Sequence, residues 1–185
     1  MCGIAGIFNY GAVDSDESAA VCRMRDAIAH RGPDDCGLYQ SPDKRVAFGH
    51  RRLSIVDLSP AGHQPMCNED GSIWVTFNGE IYNHAAHRPV LIEKGHCFRS
   101  FTDTEAILHL YEEYGPDCVA HLDGMFAFVI WDEGKKRLFA ARDRLGKKPL
   151  YYTTFGGRLL FASEIKALLQ HPGVARDIDR EALDY

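Results

Sequence analysis

The sequence predicts an α+β domain in which antiparallel sheets are covered by layers of helices. Strand-like segments follow one another through tight turns, and the helix-like segments are grouped between blocks of strands. Strands joined by hairpins form antiparallel sheets, and helices grouped in this way pack in layers on the sheet faces. The 185 residues, 45% of them hydrophobic, are enough for one sizeable core or two small ones.

The N-terminal part of the chain predicts a strand, a helix and a further series of strands. Residues 4–9 form a short apolar segment bounded by glycines, which indicates a buried strand with Cys2 at its start. Apolar residues then recur at helical spacing from Asp14, a candidate N-cap, to about His30, where Arg31-Gly32-Pro33 ends the helix. The next strands are expected at residues 45–50, 53–56 and 73–78.

Two helices are predicted in the middle of the chain. One follows Asn83 and carries Pro89 in its interior, where a proline removes a backbone donor at a cost of about 3 kcal/mol. We therefore expect a kink or a short first segment there. Thr102 and Glu105 form a capping-box pattern for the next helix, which ends at Gly115-Pro116.

The last part of the chain predicts four strands and a short helix. The strands are expected at residues 125–131, 138–142, 150–155 and 158–162. Gly156-Gly157 joins the last two as a hairpin loop, because glycine tolerates the positive φ that tight hairpins need. Ser163 or Glu164 then begins a helix that ends at residues 171–173.

Composition and charge exclude several classes of function. A net charge of −5 and a pI near 6.0 argue against nucleic acid or a membrane surface as a partner. No apolar run reaches the length of a membrane span and no signal-peptide pattern is present, so a cytoplasmic protein is expected. The six cysteines are expected to be reduced thiols. Neither Cys-x-x-Cys nor His-x-x-x-His with a third ligand occurs, so no metal site is predicted.

Cys2 directly follows the initiator methionine, so removal of Met1 would place a thiol and a free α-amine on one residue. The thiolate is the nucleophilic form of cysteine, and an unperturbed thiol forms little of it at neutral pH. An α-amine, with a pKa of about 7.7 to 8.0, is a suitable base for that thiol. A small buried residue at the start of a strand is the alternative interpretation of Cys2.

Three further features could serve such a nucleophile. Asn78 and the Gly79 N–H, at the end of a strand, could hold a developing oxyanion, although Asn-Gly is also an ordinary turn. Arg52 could bind a carboxylate, although a strand-edge arginine is often only solvated. Asp103 could receive an ammonium group, although acidic residues in a first helical turn also interact with the helix dipole.

Several motifs, taken together and in order, resemble the glutaminase domain of glutamine-hydrolysing asparagine synthetases, which are class II glutamine amidotransferases of the N-terminal-nucleophile hydrolase group. The main ones are Met1-Cys2-Gly3-Ile4-Ala5-Gly6, His30-Arg31-Gly32-Pro33-Asp34, Arg52-Leu53-Ser54-Ile55-Val56-Asp57, Asn78-Gly79-Glu80-Ile81-Tyr82-Asn83 and Thr102-Asp103-Thr104-Glu105. The opening Cys-Gly-Ile specifies only the class, whereas the second, third and fourth motifs point to the asparagine synthetase branch. The similarity covers residues 1–185, and it implies a four-layer αββα sandwich with two antiparallel sheets between helical layers.

The resemblance also implies roles for individual residues. Cys2 would attack the side-chain amide of L-glutamine, with its own α-amine as the base, and a γ-glutamyl thioester would form and then be hydrolysed. Asn78 and the Gly79 N–H would form the oxyanion hole. Arg52 would pair with the substrate α-carboxylate, and the α-amine would be held by Glu80 and Asp103. The rest of the glutamine pocket would be formed by Leu53, Ile55 and Val56.

The family context implies further partners outside this domain. The ammonia would serve ATP-dependent asparagine synthesis from aspartate in a C-terminal synthetase domain, and ATP and Mg are expected only there, with no cofactor in this domain. Residues 174–185 are interpreted as the start of a linker to it, and residues 179–185 as the start of a helix. A homodimer is a further expectation. Two alternatives stay open: a related amidotransferase with another acceptor, and a domain that binds glutamine without hydrolysing it.

Overall fold

In the computed structural model, which describes residues 1–13 and 16–177, two antiparallel sheets lie face to face. The strands in the described residues are β1 (Gly3–Asn9), β2 (Asp35–Gln40), β3 (Val46–Arg52), β4 (Met66–Cys67), β5 (Ile73–Ile81), β6 (Gly124–Asp132), β7 (Arg137–Arg142), β8 (Tyr151–Phe155) and β9 (Arg158–Ala162). One sheet has the order β2-β3-β1-β9-β8, and the other has the order β4-β5-β6-β7. Every pairing is antiparallel.

The helices lie on the outer faces of the two sheets. They are α1 (Ser18–Asp26), α2 (His84–Glu93), α3 (Asp103–Tyr114) and α4 (Ile165–Leu168). The first and last of them pack on the five-stranded sheet, and α2 and α3 pack on the four-stranded one. The predicted four-layer αββα sandwich is therefore confirmed. In the described part of the chain, none of these helices is long and apolar enough to cross a membrane.

Both faces of the central strands are buried, which explains their nearly continuous apolar sequences. In β6, the side chains of Ala127, Val129 and Trp131 enter the core between the sheets. The alternate residues, Phe126, Phe128 and Ile130, pack in the core that contains α2 and α3. Successive side chains of a strand point to opposite faces, so a single strand supplies two cores.

Several predicted boundaries differ from the structure. Residues 53–56 form a loop instead of a strand, because after Arg52 the chain leaves the sheet and pairs with no neighbouring strand. The strands β2 and β4 were not predicted. The sequence of β2 has little strand character, and the segment is extended because it pairs with β3. The first helix is shorter than predicted, and its proposed N-cap, Asp14, lies outside the described residues. Residues 179–185 also lie outside them.

The three local turn and helix predictions have different outcomes. Gly156 and Gly157 have φ of +51° and +75° and join β8 to β9, which confirms the hairpin. Helix α2 continues through Pro89, so the expected short first segment is not seen. Proline has no N–H, so the carbonyl of Ala85 lacks its usual helical donor. Ala85 is exposed, and its carbonyl can bond to water instead. Helix α3 begins after Thr102, as predicted.

The capping box at the start of α3 is only half formed. The Thr102 hydroxyl accepts the Glu105 N–H at 3.3 Å. The Glu105 carboxylate, however, accepts the N–H groups of Arg99 and Ser100 at 2.6 and 2.8 Å instead of the backbone N–H of Thr102. The carboxylate thus fixes the segment before the helix, which positions the first residue of α3, Asp103.

A buried histidine connects the two sheets at the middle of β5. His50, in β3, is fully buried, and its Nε2–H donates to the Phe77 carbonyl at 3.0 Å. Burial lowers the pKa of His50 from its ordinary value to about 4. The imidazole is therefore neutral in the folded protein at physiological pH, because protonation would place a charge in the core.

This histidine makes the stability of the fold depend on pH. In the unfolded chain His50 is protonated as the pH falls through about 6.5, whereas in the folded chain it is protonated only near pH 4. The free energy of unfolding should therefore fall as the pH decreases from about 6.5 to 4, with His50 contributing about 3 kcal/mol. Urea titrations at several pH values should show a smaller decrease in His50→Gln, whose amide does not titrate. An unchanged pH dependence in that variant would contradict the assignment.

Candidate active site

The nine site residues predicted from the sequence line a single pocket at one end of the sandwich. β1 begins and β3 ends at this edge because they are antiparallel neighbours, with Gly3 opposite Arg51. The pocket has a volume of about 60 Å³, enough for a few water molecules. The nine residues are Cys2, Arg52, Leu53, Ile55, Val56, Asn78, Gly79, Glu80 and Asp103.

The thiol of Cys2 is held by the backbone of the loop that follows β3. Its Sγ accepts the Leu53 N–H at 3.3 Å and lies 3.7 Å from the Leu53 carbonyl. Burial raises the pKa of this thiol, and the Leu53 N–H only partly offsets that effect. Cys2 is therefore a protonated thiol at neutral pH, so a base must remove its proton before it can act as a nucleophile.

The end of β5 has a free backbone edge that faces the pocket. β4 has only two residues and pairs with Trp74 and Val75, so no strand of residues 1–13 and 16–177 continues along this edge. The Phe77 N–H instead donates to the Gln64 side chain, and the Ile81 N–H donates to the Asp103 carboxylate, both at 2.8 Å. Strand residues two apart direct their N–H groups to the same side.

Gly79 lies midway between Phe77 and Ile81, so its N–H points to this same open edge. On the opposite edge of β5, Gly79 is paired with Phe126 of β6. The Phe126 N–H donates to the Asp143 carboxylate and the Phe126 carbonyl accepts the Asp143 N–H, so neither group bonds to β5. The Gly79 N–H is therefore available in the pocket. A Cβ at this position would lie 2.4 Å from the Met125 carbonyl oxygen, so only glycine fits here.

The side chain of Asn78, the residue before Gly79, also lines the pocket. Asn78 is 1% exposed, and neither Nδ2 nor Oδ1 makes a hydrogen bond within the described residues. A buried amide without partners costs about 1–3 kcal/mol, so the arrangement favours a ligand that would satisfy it. Together the two residues present two adjacent N–H donors, as an oxyanion hole does.

Arg52 supplies a buried positive charge. The residue is 7% exposed, and its guanidinium donates to the carbonyl of Ser59 at 3.0 Å and to that of Asp57. Within the described ranges, no carboxylate lies close enough to Arg52 to form an ion pair. Carbonyl oxygens fix the direction of the guanidinium but form no ion pair with it, which favours an anionic ligand.

Asp103 supplies the opposite charge. Its carboxylate is buried and accepts the Ile81 N–H, and burial raises the pKa of Asp103 above its ordinary value. Across residues 1–13 and 16–177, no cationic side chain forms an ion pair with it. Glu80, half-buried, also lines the pocket. A buried cation and a buried anion, each without an ion-pair partner in the described residues, match the two charges of a zwitterion such as a free α-amino acid.

The loop of residues 53–59 forms the rim of the pocket. Ile55 and Val56 are exposed there, at 60% and 48%. The loop is tied at both ends, since Asp34 accepts the Ser54 N–H at 2.8 Å and Asp57 accepts the Phe101 N–H at 3.1 Å. The second bond joins the rim to the segment that leads into Asp103.

Sequence reasoning missed Lys148, a cation in the same pocket. Lys148 is 4% exposed, and in the described part of the chain its Nζ has only the Met1 sulfur as a partner, at 3.2 Å. The side chain of Asp143 accepts the backbone N–H groups of residues 145, 147 and 148 and so positions this lysine. An aspartate followed by a turn glycine, Gly146, was a sequence signal of an ordered loop, but it did not indicate which lysine is buried.

Gly62 was also missed, and it makes room for the Arg52 guanidinium. A Cβ at Gly62 would lie 1.9 Å from Nη2 and 2.6 Å from Cζ of Arg52. The guanidinium is fixed by two carbonyls and cannot move away without losing those bonds. Gly62 therefore determines where the buried positive charge of the pocket lies.

The comparisons with known proteins identify the family of the chain. A sequence model for the family described as a glutamine amidotransferase domain matches residues 1–185. Two curated relatives from Bacillus subtilis (strain 168), the glutamine-hydrolyzing asparagine synthetases 3 and 2, are 45% and 48% identical over 99% of this chain. Amidase chry2 of Gibberella zeae is 42% identical over 91% of this chain. The chain spans only 24–30% of the length of these relatives.

Two solved structures share the fold. The glutamine phosphoribosylpyrophosphate amidotransferase of B. subtilis, complexed with ADP and GMP, has a TM-score of 0.75 and 21% identity. It is matched over 90% of this chain and 42% of that chain. A structure described as the allosteric regulatory enzyme of purine biosynthesis also has a TM-score of 0.75, at 22% identity over 91% of this chain and 43% of that one. At such identities the likeness supports the fold alone.

The contact between Gly62 and Arg52 predicts strong coupling between the two positions. Gly62→Ala should lower the free energy of unfolding by about 1–3 kcal/mol, because the new methyl group overlaps the guanidinium. In an Arg52→Ala background the same substitution should cost much less, which a double-mutant cycle in urea would measure. Gly134→Ala is the matched control, since a Cβ there would lie 3.6 Å from its nearest neighbour. Additive effects of the Gly62 and Arg52 substitutions would contradict this packing.

Proposed function

The chain belongs to the glutamine amidotransferase domain family, and from this premise we propose that its pocket hydrolyses L-glutamine to glutamate and ammonia. The observation that carries the proposal is that the Cys2 thiol shares one pocket with two free N–H donors, those of Asn78 and Gly79. A nucleophile beside an oxyanion hole is the arrangement that acyl transfer from an amide needs.

In the proposed mechanism, removal of Met1 frees the α-amine of Cys2, which takes the thiol proton. The thiolate attacks the side-chain amide carbon, and the oxyanion is stabilised by the Asn78 amide and the Gly79 N–H. The protonated amine then gives its proton to the leaving nitrogen, so that ammonia departs and a γ-glutamyl thioester remains. Water attacks the thioester, which releases glutamate and restores the thiol. The raised pKa of Cys2 supports the need for a base on the same residue.

Met1 also occupies space in the pocket. Its side chain lines the cavity and contacts the Lys148 ammonium. Loss of Met1 would therefore enlarge a cavity of about 60 Å³ and expose the amine at the same time. Glutamine needs the space next to Cys2, and the thiol needs the free amine as its base, so removal of the methionine is proposed as the activating step.

The charges of the pocket are proposed to select the substrate. Arg52 would pair with the α-carboxylate of glutamine, and Asp103 with Glu80 would hold its α-ammonium group. Backbone groups of Leu53 and Ile55, with Val56 at the rim, would complete the pocket. An analogue that lacks either charge would leave a buried charge of the protein unpaired, which costs several kcal/mol. This supports discrimination against simple amides.

We further propose that the ammonia serves asparagine synthesis from aspartate in a longer protein. Two relatives that match nearly the whole of this chain are named glutamine-hydrolyzing asparagine synthetases, and they extend well beyond the matched part. The acceptor would therefore bind in a synthetase domain outside residues 1–185. A homodimer and a cytoplasmic location stay predictions.

Glutamine turnover tests the proposed nucleophile and its base. The chain with Met1 removed, verified by intact mass, should release glutamate from L-glutamine, whereas Cys2→Ala should release none. The same chain with an uncleaved N-terminal extension should also be inactive, because Cys2 then lacks a free amine. Cys22→Ala, in α1, is the matched control and should keep its activity.

A covalent probe gives a second readout that does not depend on turnover. A glutamine analogue with a diazoketone in place of the amide should add one label to Cys2, detected by mass, and none to Cys2→Ala. Full turnover with Met1 still attached would refute the proposed base. The absence of both turnover and labelling in the Met1-free chain would refute the proposed hydrolysis.

The ionisation of Asp103 should control the affinity for glutamine. The KM should rise as the pH falls, and the rise should begin at a higher pH than for an ordinary aspartate, because burial raises the pKa of this carboxyl. Asp103→Asn should raise the KM at neutral pH at least about 30-fold, from the loss of about 2 kcal/mol or more of a buried charge pair. It should also lose this pH dependence. Asp117→Asn, an exposed acid, should behave as wild type; an Asp103→Asn variant with an unchanged KM would contradict the role.

A further inference from the structure

A cluster of histidines and carboxylates lies in the helical layer formed by α2 and α3, separate from the pocket at Cys2. One ring nitrogen of His96, one of His109 and a carboxylate oxygen of Glu69 all lie within 4.8 Å of one another. Glu69 lies in the turn between β4 and β5, His96 in the connection from α2 to α3, and His109 in the middle of α3. Three separate segments thus converge on one point.

His109 has the environment of a metal-binding histidine. The residue is 1% exposed, and its Nδ1 bonds the Glu112 carboxylate at 2.8 Å. Its Nε2 is buried and has no hydrogen-bond partner in the described residues. A histidine that binds a metal typically directs its second nitrogen at a carboxylate, which fixes the ring and the tautomer. Nε2 of His109 is therefore the nitrogen that is free to bind a ligand.

The surroundings of His96 favour a cation. Its Nδ1 lies 3.3 Å from the Glu112 carboxylate, and its Nε2 lies 3.0 Å from that of Glu113. Apart from the histidines, the cluster has three carboxylates, those of residues 69, 112 and 113, and two neighbouring cations within the described residues. These are Lys94, which pairs with Glu113, and Arg99, which donates to the Glu69 carbonyl at 3.1 Å. The cluster therefore has an excess of negative charge.

We propose that His96, His109 and Glu69 bind a zinc ion, with Glu112 orienting His109. Two imidazole nitrogens and one carboxylate oxygen are a ligand set that zinc accepts, and a fourth position is left for water. The sequence predicted no zinc site because these ligands are far apart along the chain and form no spacing motif. The ion would tie the turn that carries Glu69 to α3, whose first residue is Asp103, so its role is to stabilise the fold.

Calorimetric titration of the tag-free, chelator-treated chain with zinc chloride tests the proposal. We expect saturable binding of one ion per chain and a higher melting temperature with zinc, since a ligand that binds the folded state stabilises it. His109→Gln and His96→Gln should abolish the binding, and Glu112→Gln should weaken it about 10- to 100-fold. His30→Gln, an exposed histidine beside Glu164, is the control and should bind as wild type.

The design separates loss of the site from loss of the fold. Glu69 is exposed, so Glu69→Gln should weaken zinc binding while far-UV circular dichroism and the zinc-free melting temperature stay unchanged. The result that would overturn the proposal is no saturable binding to the wild-type chain, in which case the cluster is only an ion-pair network. Equal binding by wild type and by His96→Gln, His109→Gln or Glu69→Gln would overturn it as well, because the ion would then bind elsewhere.

Discussion

The open edge of β5 is the constraint on which the candidate site depends. Beyond Val75 no strand in the described part of the chain pairs with this edge, so each backbone group that points outward must find another partner or face the pocket. Gln64 and Asp103 satisfy the N–H groups of Phe77 and Ile81, and His50 satisfies the Phe77 carbonyl. The N–H of Gly79, between them, is left free. If a further strand paired with β5 here, the Gly79 N–H would bond to that strand and could not stabilise an oxyanion.

The charges of the pocket are held in place by neutral groups. Carbonyl oxygens orient Arg52, and a backbone N–H orients Asp103, so neither charge is neutralised within the described residues. Burying such charges costs stability, and the three hydrophobic cores of the sandwich supply the compensating burial. The two charges of the pocket are thus oriented before a ligand with both charges binds. The Phe101 N–H donates to the Asp57 carboxylate and so fixes the rim loop to the segment before Asp103.

Elements with a strong local signal could be predicted from the sequence. Gly156-Gly157 forms the expected hairpin with positive φ at both residues, and Thr102 begins α3 as expected. Elements that depend on a neighbour could not be predicted. β2 is extended only because β3 pairs with it, and residues 53–56 look strand-like but have no strand to pair with. Strand character depends on pairing and burial more than on local preference, which explains these errors.

The sequence by itself determined the antiparallel sheets covered by helices, through its strand and helix patterns. The resemblance of its motifs to a known family implied the four-layer arrangement and the identities of nine residues that line the pocket. Only the tertiary structure decided which polar groups are unsatisfied. That the Gly79 N–H is free, that Lys148 is buried next to Met1, and that Gly62 borders Arg52 all depend on contacts between distant segments. Local sequence patterns report periodicity and turn preference, whereas burial and the absence of a partner are properties of three-dimensional packing.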